Sequence, residues 1–243
     1  MRRQGVPQEK YKLLDDGLEA SNVHFHWNNR GDGLYMCSTF TYDNDCMQKR
    51  LPAIVEYNGE VHLFGGSYLA AWTVFSVKTG AWRDMRPRLR LGRSGAEAAV
   101  VRGKLYVLGG QTIDNKAGVR DCEVYDYKMG CWKNISPMIS ARTSFSVAVL
   151  DNEIYVTGGQ DEDGEAMVRC EKYSPRSDTW TPLPDLTQPR RGHVAEVVEG
   201  VVFTLGGHTS TTEWLDSESE AWVMSASLAS PLTGHGACVA TWW

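Results

Sequence analysis

Three arginines and three glutamates recur in this chain of 243 residues at fixed distances from other repeated residues. Arg93, Arg142 and Arg190, with Lys49 in the same register, each stand sixteen residues before a pair of adjacent glycines. Glu123, Glu171 and Glu213, with Thr73 in register, each stand nine residues before a tryptophan. A guanidinium at such a place has two uses. Exposed, it grips an acidic or hydroxyl-bearing segment through charge-assisted, often bidentate hydrogen bonds. Buried, it satisfies backbone carbonyls that would otherwise have no partner. Spacing alone leaves both open.

The other reactive residue types form no site. Cys37, Cys46, Cys122, Cys131, Cys170 and Cys238 contain neither a CxxC pair nor a Cys/His metal spacing and read as free thiols. Cys122 and Cys170 occupy nearly the same place in successive repeats, which points to a shared strand position. The histidines show no HExxH arrangement, and His24 and His26, which would share one face of a strand, have no third ligand. Asp161, Glu162, Asp163 and Glu165 lack the spacing of a calcium loop and read as a solvated turn. Arg30-Gly31-Asp32 and the formal glycosylation acceptor Asn134-Ile135-Ser136 are discounted, because the N-terminus carries charge without the apolar core of a secretion signal. No apolar run approaches the roughly 20 residues of a membrane span. Cytosol or nucleus is therefore the expected compartment. A net charge of −5 with neither a basic stripe nor a lysine-rich block argues against nucleic acid or anionic membrane as the main partner.

The elements that position these residues follow from the repeat. EVHLFGG at 60–66, KLYVLGG at 104–110, EIYVTGG at 153–159 and VVFTLGG at 201–207 place the first glycines at intervals of 44, 49 and 48 residues. Seven residues ahead of each pair lies a turn dipeptide: Asn58-Gly59, Arg102-Gly103, Asp151-Asn152 or Glu199-Gly200. Downstream come Trp82, Trp132, Trp180 and Trp222, each seven residues after Phe75, Tyr125, Tyr173 or Leu215. These offsets predict two consecutive hairpins per unit, which make a four-stranded antiparallel sheet. Alternating apolar residues bury both faces only if such sheets stack radially as propeller blades. The two glycines then mark the turn beside the crowded axis, where a side chain would obstruct a neighbour and positive φ is open to glycine. The tryptophans are expected to pack between blades.

Double glycine, aromatic residues at these offsets and a period near 50 resemble the kelch motif, and the run from about Arg50 to Thr233 resembles the propeller of the kelch-like (BTB-kelch) proteins. The resemblance implies an all-β kelch propeller of four repeats, about 50–92, 93–141, 142–189 and 190–232, with a partial repeat at 233–243. Residues 1–49 are too short for a BTB or BACK domain; DGLYMCSTFTYDNDC within them is expected to supply strands of a fifth blade closed by GHGACVATWW. The alternative is a fragment of a six-bladed ring.

In that family the propeller holds a partner peptide while BTB and BACK domains recruit a cullin-RING ubiquitin ligase. The binding mouth lies just after the double glycine and around the repeated arginine. Carried over by position, the candidates are Ser67, Tyr68, Gln111, Gln160 and His208 after the glycines, and Arg93, Ser94, Arg142, Thr143, Arg190 and Arg191 on the arginine side. Such a mouth would be polar with several cations and would suit an acidic peptide. The resemblance implies a non-enzymatic recognition module without a cofactor, serving such a ligase through a BTB protein or competing with full-length adaptors. The competing reading is an actin-binding kelch protein. A propeller enzyme would need a constellation of acid, base or metal-binding groups that cannot be named in this chain.

Overall fold

The computed structural model describes residues 52–66 and 69–225, together with the backbone of two earlier strands, and contains eighteen strands among them. β1 (Val23–Trp27) and β2 (Leu34–Ser38) pair as an antiparallel hairpin. Four sheets of four strands follow: β3 to β6 (Pro52–Tyr57, Glu60–Gly65, Trp72–Ser76, Ala81–Asp84), β7 to β10 (Glu97–Val101, Lys104–Leu108, Cys122–Asp126, Cys131–Ile135), β11 to β14 (Ser146–Leu150, Glu153–Thr157, Cys170–Ser174, Thr179–Leu183) and β15 to β18 (His193–Val198, Val201–Gly206, Thr212–Asp216, Ala221–Met224). Every neighbouring pair is antiparallel and consecutive in the chain. The first strands β3, β7, β11 and β15 lie side by side, so the sheets are propeller blades around a common axis. Closure of a fifth blade by the C-terminal segment falls outside the described residues.

The hairpin turns follow directly from the dipeptides that make them. Both residues of Asn58-Gly59, Arg102-Gly103, Asp151-Asn152 and Glu199-Gly200 have positive φ, between 49° and 78°, the geometry whose twist matches a two-residue hairpin. These turns lie on one side of the propeller. At the opposite side Glu97 faces Leu108, Ser146 faces Thr157 and His193 faces Gly206, so each glycine pair emerges beside the linker entering its own blade. We call that side the loop face.

The core is divided among three seams between blades. Phe64, Trp72 and Val74 of the first blade meet Ala98, Leu105, Val107 and Trp132 of the second. Ala99, Val101, Tyr106 and Leu108 of the second meet Phe145, Ile154 and Val156 of the third. Ala148 and Cys170 of the third meet Ala195, Val202 and Trp222 of the fourth. Along β7, Ala98 therefore serves one seam and Ala99 the next, the period-2 alternation of a strand buried on both faces. Each fully buried Phe or Leu contributes about 1.5–3 kcal/mol. The tryptophans also bind polar groups across the seams: Trp132 Nε1 donates to Pro87 O at 3.3 Å, Trp180 Nε1 to Ser136 O at 2.8 Å and Trp222 Nε1 to Pro184 O at 3.0 Å.

The second glycine of a pair reaches the next blade. Gly66 N donates to Arg93 O at 2.8 Å, Gly110 N to Arg142 O at 3.0 Å and Gly159 N to Arg190 O at 2.8 Å. That approach leaves no room for a side chain. A Cβ on Gly158 would lie 2.5 Å from Arg190 O, and φ at Gly158 is itself left-handed at 53°. Gly158→Ala is expected to cost more than about 3 kcal/mol, combining a backbone clash with left-handed strain. Gly130, at φ 63° and with nothing within 4 Å of where a methyl would stand, isolates the strain alone; Gly130→Ala should cost about 1–2 kcal/mol. Urea denaturation of the two variants checks this, and equal losses would remove the seam from the explanation.

Candidate functional site

Each repeated arginine sits at the inner end of a linker, with its guanidinium turned into its own blade. Arg142 Nη1 donates to Gly158 O at 2.6 Å and to Arg169 O at 2.8 Å, and Nη2 donates to Glu171 Oε1 at 2.7 Å. Arg93 makes the same set with Gly109 O, Asp121 O and Glu123, and Arg190 with Gly206 O, Thr211 O and Glu213. The glutamates complete the arrangement by accepting linker N–H groups: Arg90 N and Leu91 N at Glu123, Ile139 N and Ser140 N at Glu171, and Thr187 N at Glu213. All three arginines are 0% exposed. A partner cannot touch them, so Arg93, Arg142 and Arg190 leave the partner-binding set and belong to the frame. The repetition accounts for this: a group that recurs in the second, third and fourth blades serves what those blades share.

The remaining candidates divide by exposure. Ser94, Gln111 and Thr143 are buried; Ser94 and Gln111 exchange backbone hydrogen bonds at 2.8 and 2.9 Å, and Thr143 and Gln160 do so at 2.7 and 3.1 Å. Glycine-side and arginine-side positions are thus brought together, but as backbone pairs that fasten the loop face. Gln160 and Arg191 are half-buried and converge on one carbonyl, Gly164 O, at 2.9 and 2.6 Å. His208 is exposed with φ 65°. Ser67 and Tyr68 lie outside the described residues. The expected row of cations around a mouth is therefore replaced by neutralised, buried guanidinium groups.

Apolar side chains stand out on the loop face that the residue-type search passed over. Ile113 is 68% exposed, Leu69 57% and Ile139 48%. Leu69 comes from the loop after the first glycine pair, Ile113 from the loop after the second, and Ile139 from the linker into the third blade. The Ile113 loop is held by its own bonds: Asn115 N donates to Thr112 Oγ1 at 2.9 Å, Asn115 Nδ2 to Gly118 O at 3.0 Å and Ala117 N to Asn115 Oδ1 at 3.1 Å. An open cleft of about 690 Å³ lies between Ile139–Ala141 and the acidic loop, with Met167, Arg169 and Pro189 in its walls. In that loop Asp161 Oδ1 accepts from Asp163 N and Glu165 N, which makes it a self-capped turn.

Four titratable groups outside the arginine–glutamate pairs are shifted toward their neutral forms by burial. Burial pushes the Cys122 and Cys170 thiols up to about 12, so neither is a thiolate nucleophile near neutral pH. Their matched contacts, Sγ to Arg120 O and to Val168 O, bear out the shared strand position. Burial pushes the half-buried Glu97 carboxyl up to about 8, so it adds little charge at pH 7. His193 fills the seam between the third and fourth blades, hydrogen-bonded through Nε2 to Thr157 Oγ1 at 2.8 Å; burial, then Arg190 and Arg142, push it down to about 3. Among the described residues no group of three metal-binding side chains is found.

Known proteins resemble this chain in sequence or in fold. Residues 51–241 match the family model described as the KLHDC2/KLHL20/DRC7 Kelch-repeats domain. Kelch-like protein 36 of Mus musculus is 28% identical over 185 residues, covering 70% of this chain and 30% of that protein. An F-box/kelch-repeat protein of Arabidopsis thaliana is 30% identical over 143 residues, covering 58% of this chain and 38% of that protein. Beta-scruin of Limulus polyphemus is 27% identical over 179 residues, covering 70% and 19%. The chain thus spans well under half the length of these relatives. The solved structure of YjhT superposes with a TM-score of 0.69 at 13% identity, covering 82% of this chain and 79% of that one, a likeness of fold.

Two measurements check the site's electrostatics. Arg142→Ala leaves Glu171 charged and buried and should cost about 3–5 kcal/mol in urea denaturation; a loss below about 1 kcal/mol would place the guanidinium in solvent. His193 is neutral in the folded chain down to about 3, whereas the unfolded chain takes up its proton near 6.5. Stability from this residue is complete above about 6.5 and is lost as pH falls below it. His193→Phe, which puts at this position the residue type of its counterpart Phe145, should lose roughly 2 kcal/mol less than the parent between about pH 7 and pH 5. Parallel losses would overturn the assignment.

Proposed function

The chain belongs to the kelch-repeat family, and from that premise we propose that it is a protein-interaction module that grips its partner on the loop face. The observation that carries this reading is the display of Ile113, Leu69 and Ile139 there. One exposed isoleucine would be ordinary. Three large apolar side chains from separate segments of one face, one of them 68% exposed on a loop fixed by its own hydrogen bonds, supply anchors whose ordering costs little on binding. The finer role we propose is recognition of substrates for a cullin-RING ubiquitin ligase through a BTB-bearing chain, or competition with full-length adaptors for the same targets. Its support is the match to kelch-like relatives, in which this chain corresponds to about a third of the length.

The test is in-cell cross-linking followed by mapping of the linked residues, with Ile113→Asp, Leu69→Asp and, on the opposite side, Met129→Asp. Partner yield should fall roughly tenfold or more for the first two and stay unchanged for Met129→Asp. Cross-links confined to the outer strands, with co-sedimentation on actin filaments, would replace this reading by the cytoskeletal one.

A further inference from the structure

From Arg83 in β6 to Arg93 in the linker before β7 the chain reads RDMRPRLRLGR. The two end arginines of this stretch are neutralised, Arg83 by Glu60 at 2.5 Å and Arg93 by Glu123 at 2.5 Å. Between them Arg86, Arg88 and Arg90 are exposed, and among the described residues their guanidinium groups have no ion-pair or hydrogen-bond partner. Lys133 and Lys172 are paired, with Asp126 at 2.6 Å and Glu153 at 2.7 Å, while exposed Lys116 and Arg120 stand four residues apart on another loop. The nearest acid in sequence, Asp84, faces Thr73. Among the described residues, a chain of net charge −5 thus carries a short basic strip on its loop face whose three guanidinium groups have no acidic partner.

The frame does not require these arginines. Counted back from the buried arginines, the same places hold Ile135, Pro137 and Ile139 in the second linker, and Leu183, Asp185 and Thr187 in the third. What the frame does supply is rigidity beneath them. Met85 N donates to Trp72 O, Leu89 N to Ala70 O, and Arg90 N and Leu91 N to the Glu123 carboxylate, while Pro87 O accepts from Trp132 and Leu89 is 4% exposed. The backbone is fixed between the three guanidinium groups, so a ligand need order only their side chains.

We infer that Arg86, Arg88 and Arg90 form a docking strip for an acidic segment of a protein partner. This rests on the interaction-module reading above and gives it a partner chemistry. Planar guanidinium groups on a fixed backbone suit carboxylates, each of which can accept two parallel hydrogen bonds. An extended polyanion fits less well. The strip itself offers three cations, and the same face carries Glu162, Asp163 and Glu165, all exposed, on the third blade. A nucleic acid crossing the face would meet that repulsion; a short acidic peptide held on the linker would not.

The test is fluorescence anisotropy of a labelled short peptide of alternating glutamate and serine with the whole chain at low salt. Binding should weaken as salt rises. The triple variant Arg86→Gln, Arg88→Gln, Arg90→Gln should bind roughly tenfold or more weakly, and the triple lysine variant, which keeps the charge, should stay much closer to the parent. Lys116→Gln with Arg120→Gln, elsewhere on this face, should change nothing. Failure of the peptide to bind, equal binding by the glutamine variant, equal loss in the control, or tighter binding of a single-stranded oligonucleotide would each overturn the strip. If the glutamine variant keeps the cross-linked partner of the previous section, the strip falls and the interaction module stands; if cross-links never map to the loop face, the module reading falls whatever the peptide does.

Discussion

The second, third and fourth blades depend on how one buried arginine in each distributes its hydrogen bonds. The guanidinium of Arg142 holds the first glycine carbonyl of its own blade, the start of the third strand through Arg169 O, and Glu171. Its backbone carbonyl meanwhile accepts from Gly110 of the blade before. One residue therefore fixes a register within a blade and a contact between blades. Burying the charge is tolerable because its ion partner is buried with it, and because Glu171 uses its remaining capacity on the linker N–H groups of Ile139 and Ser140. The glycines follow from this arrangement: the arginine can reach their carbonyls, and the next blade their amides, only where no side chain intervenes.

The seams between blades share geometry but differ in chemistry. Where the second and third blades meet, Phe145, Ile154 and Tyr106 make an apolar fill. Where the third and fourth meet, Thr157 and His193 are hydrogen-bonded, and Ser146 Oγ accepts from Ala195 N at 2.8 Å. Stacking thus tolerates a polar seam in which Thr157 pairs with His193 Nε2 and Ser146 with the Ala195 amide. The first blade differs again, with Thr73 in the glutamate register bonded to Asp84 and His62 accepting from Trp72 Nε1 at 3.1 Å.

Much of the fold was legible because its local chemistry is written in short words. The dipeptides that predict tight turns have positive φ at both residues, and Trp132, Trp180 and Trp222 sit between blades as their spacing suggests. The site was less legible. Spacing located Arg93, Arg142 and Arg190 correctly along the chain but carried no information on depth, and depth alone separates a clamp from a binding group. The exposed strip was missed for the opposite reason: net charge and the search for a long basic run average over RPRLR, whose effect is local. Ile113 has no sequence signal, since an isoleucine in a loop is read as exposed only once the loop's own hydrogen bonds show that it cannot fold inward.

The clamp draws on nothing beyond its own blade and the blade before it. A stretch such as 93–141, duplicated in tandem, would arrive with its own guanidinium, carboxylate, glycine pair and tryptophan. In evolutionary terms the unit is self-sufficient: repeats can be copied or deleted without new chemistry. How many blades such a ring holds is then decided by the wedge angle of the seams, where a swap between small and large residues such as Ala96, Phe145 and His193 alters the taper while the clamp stays the same.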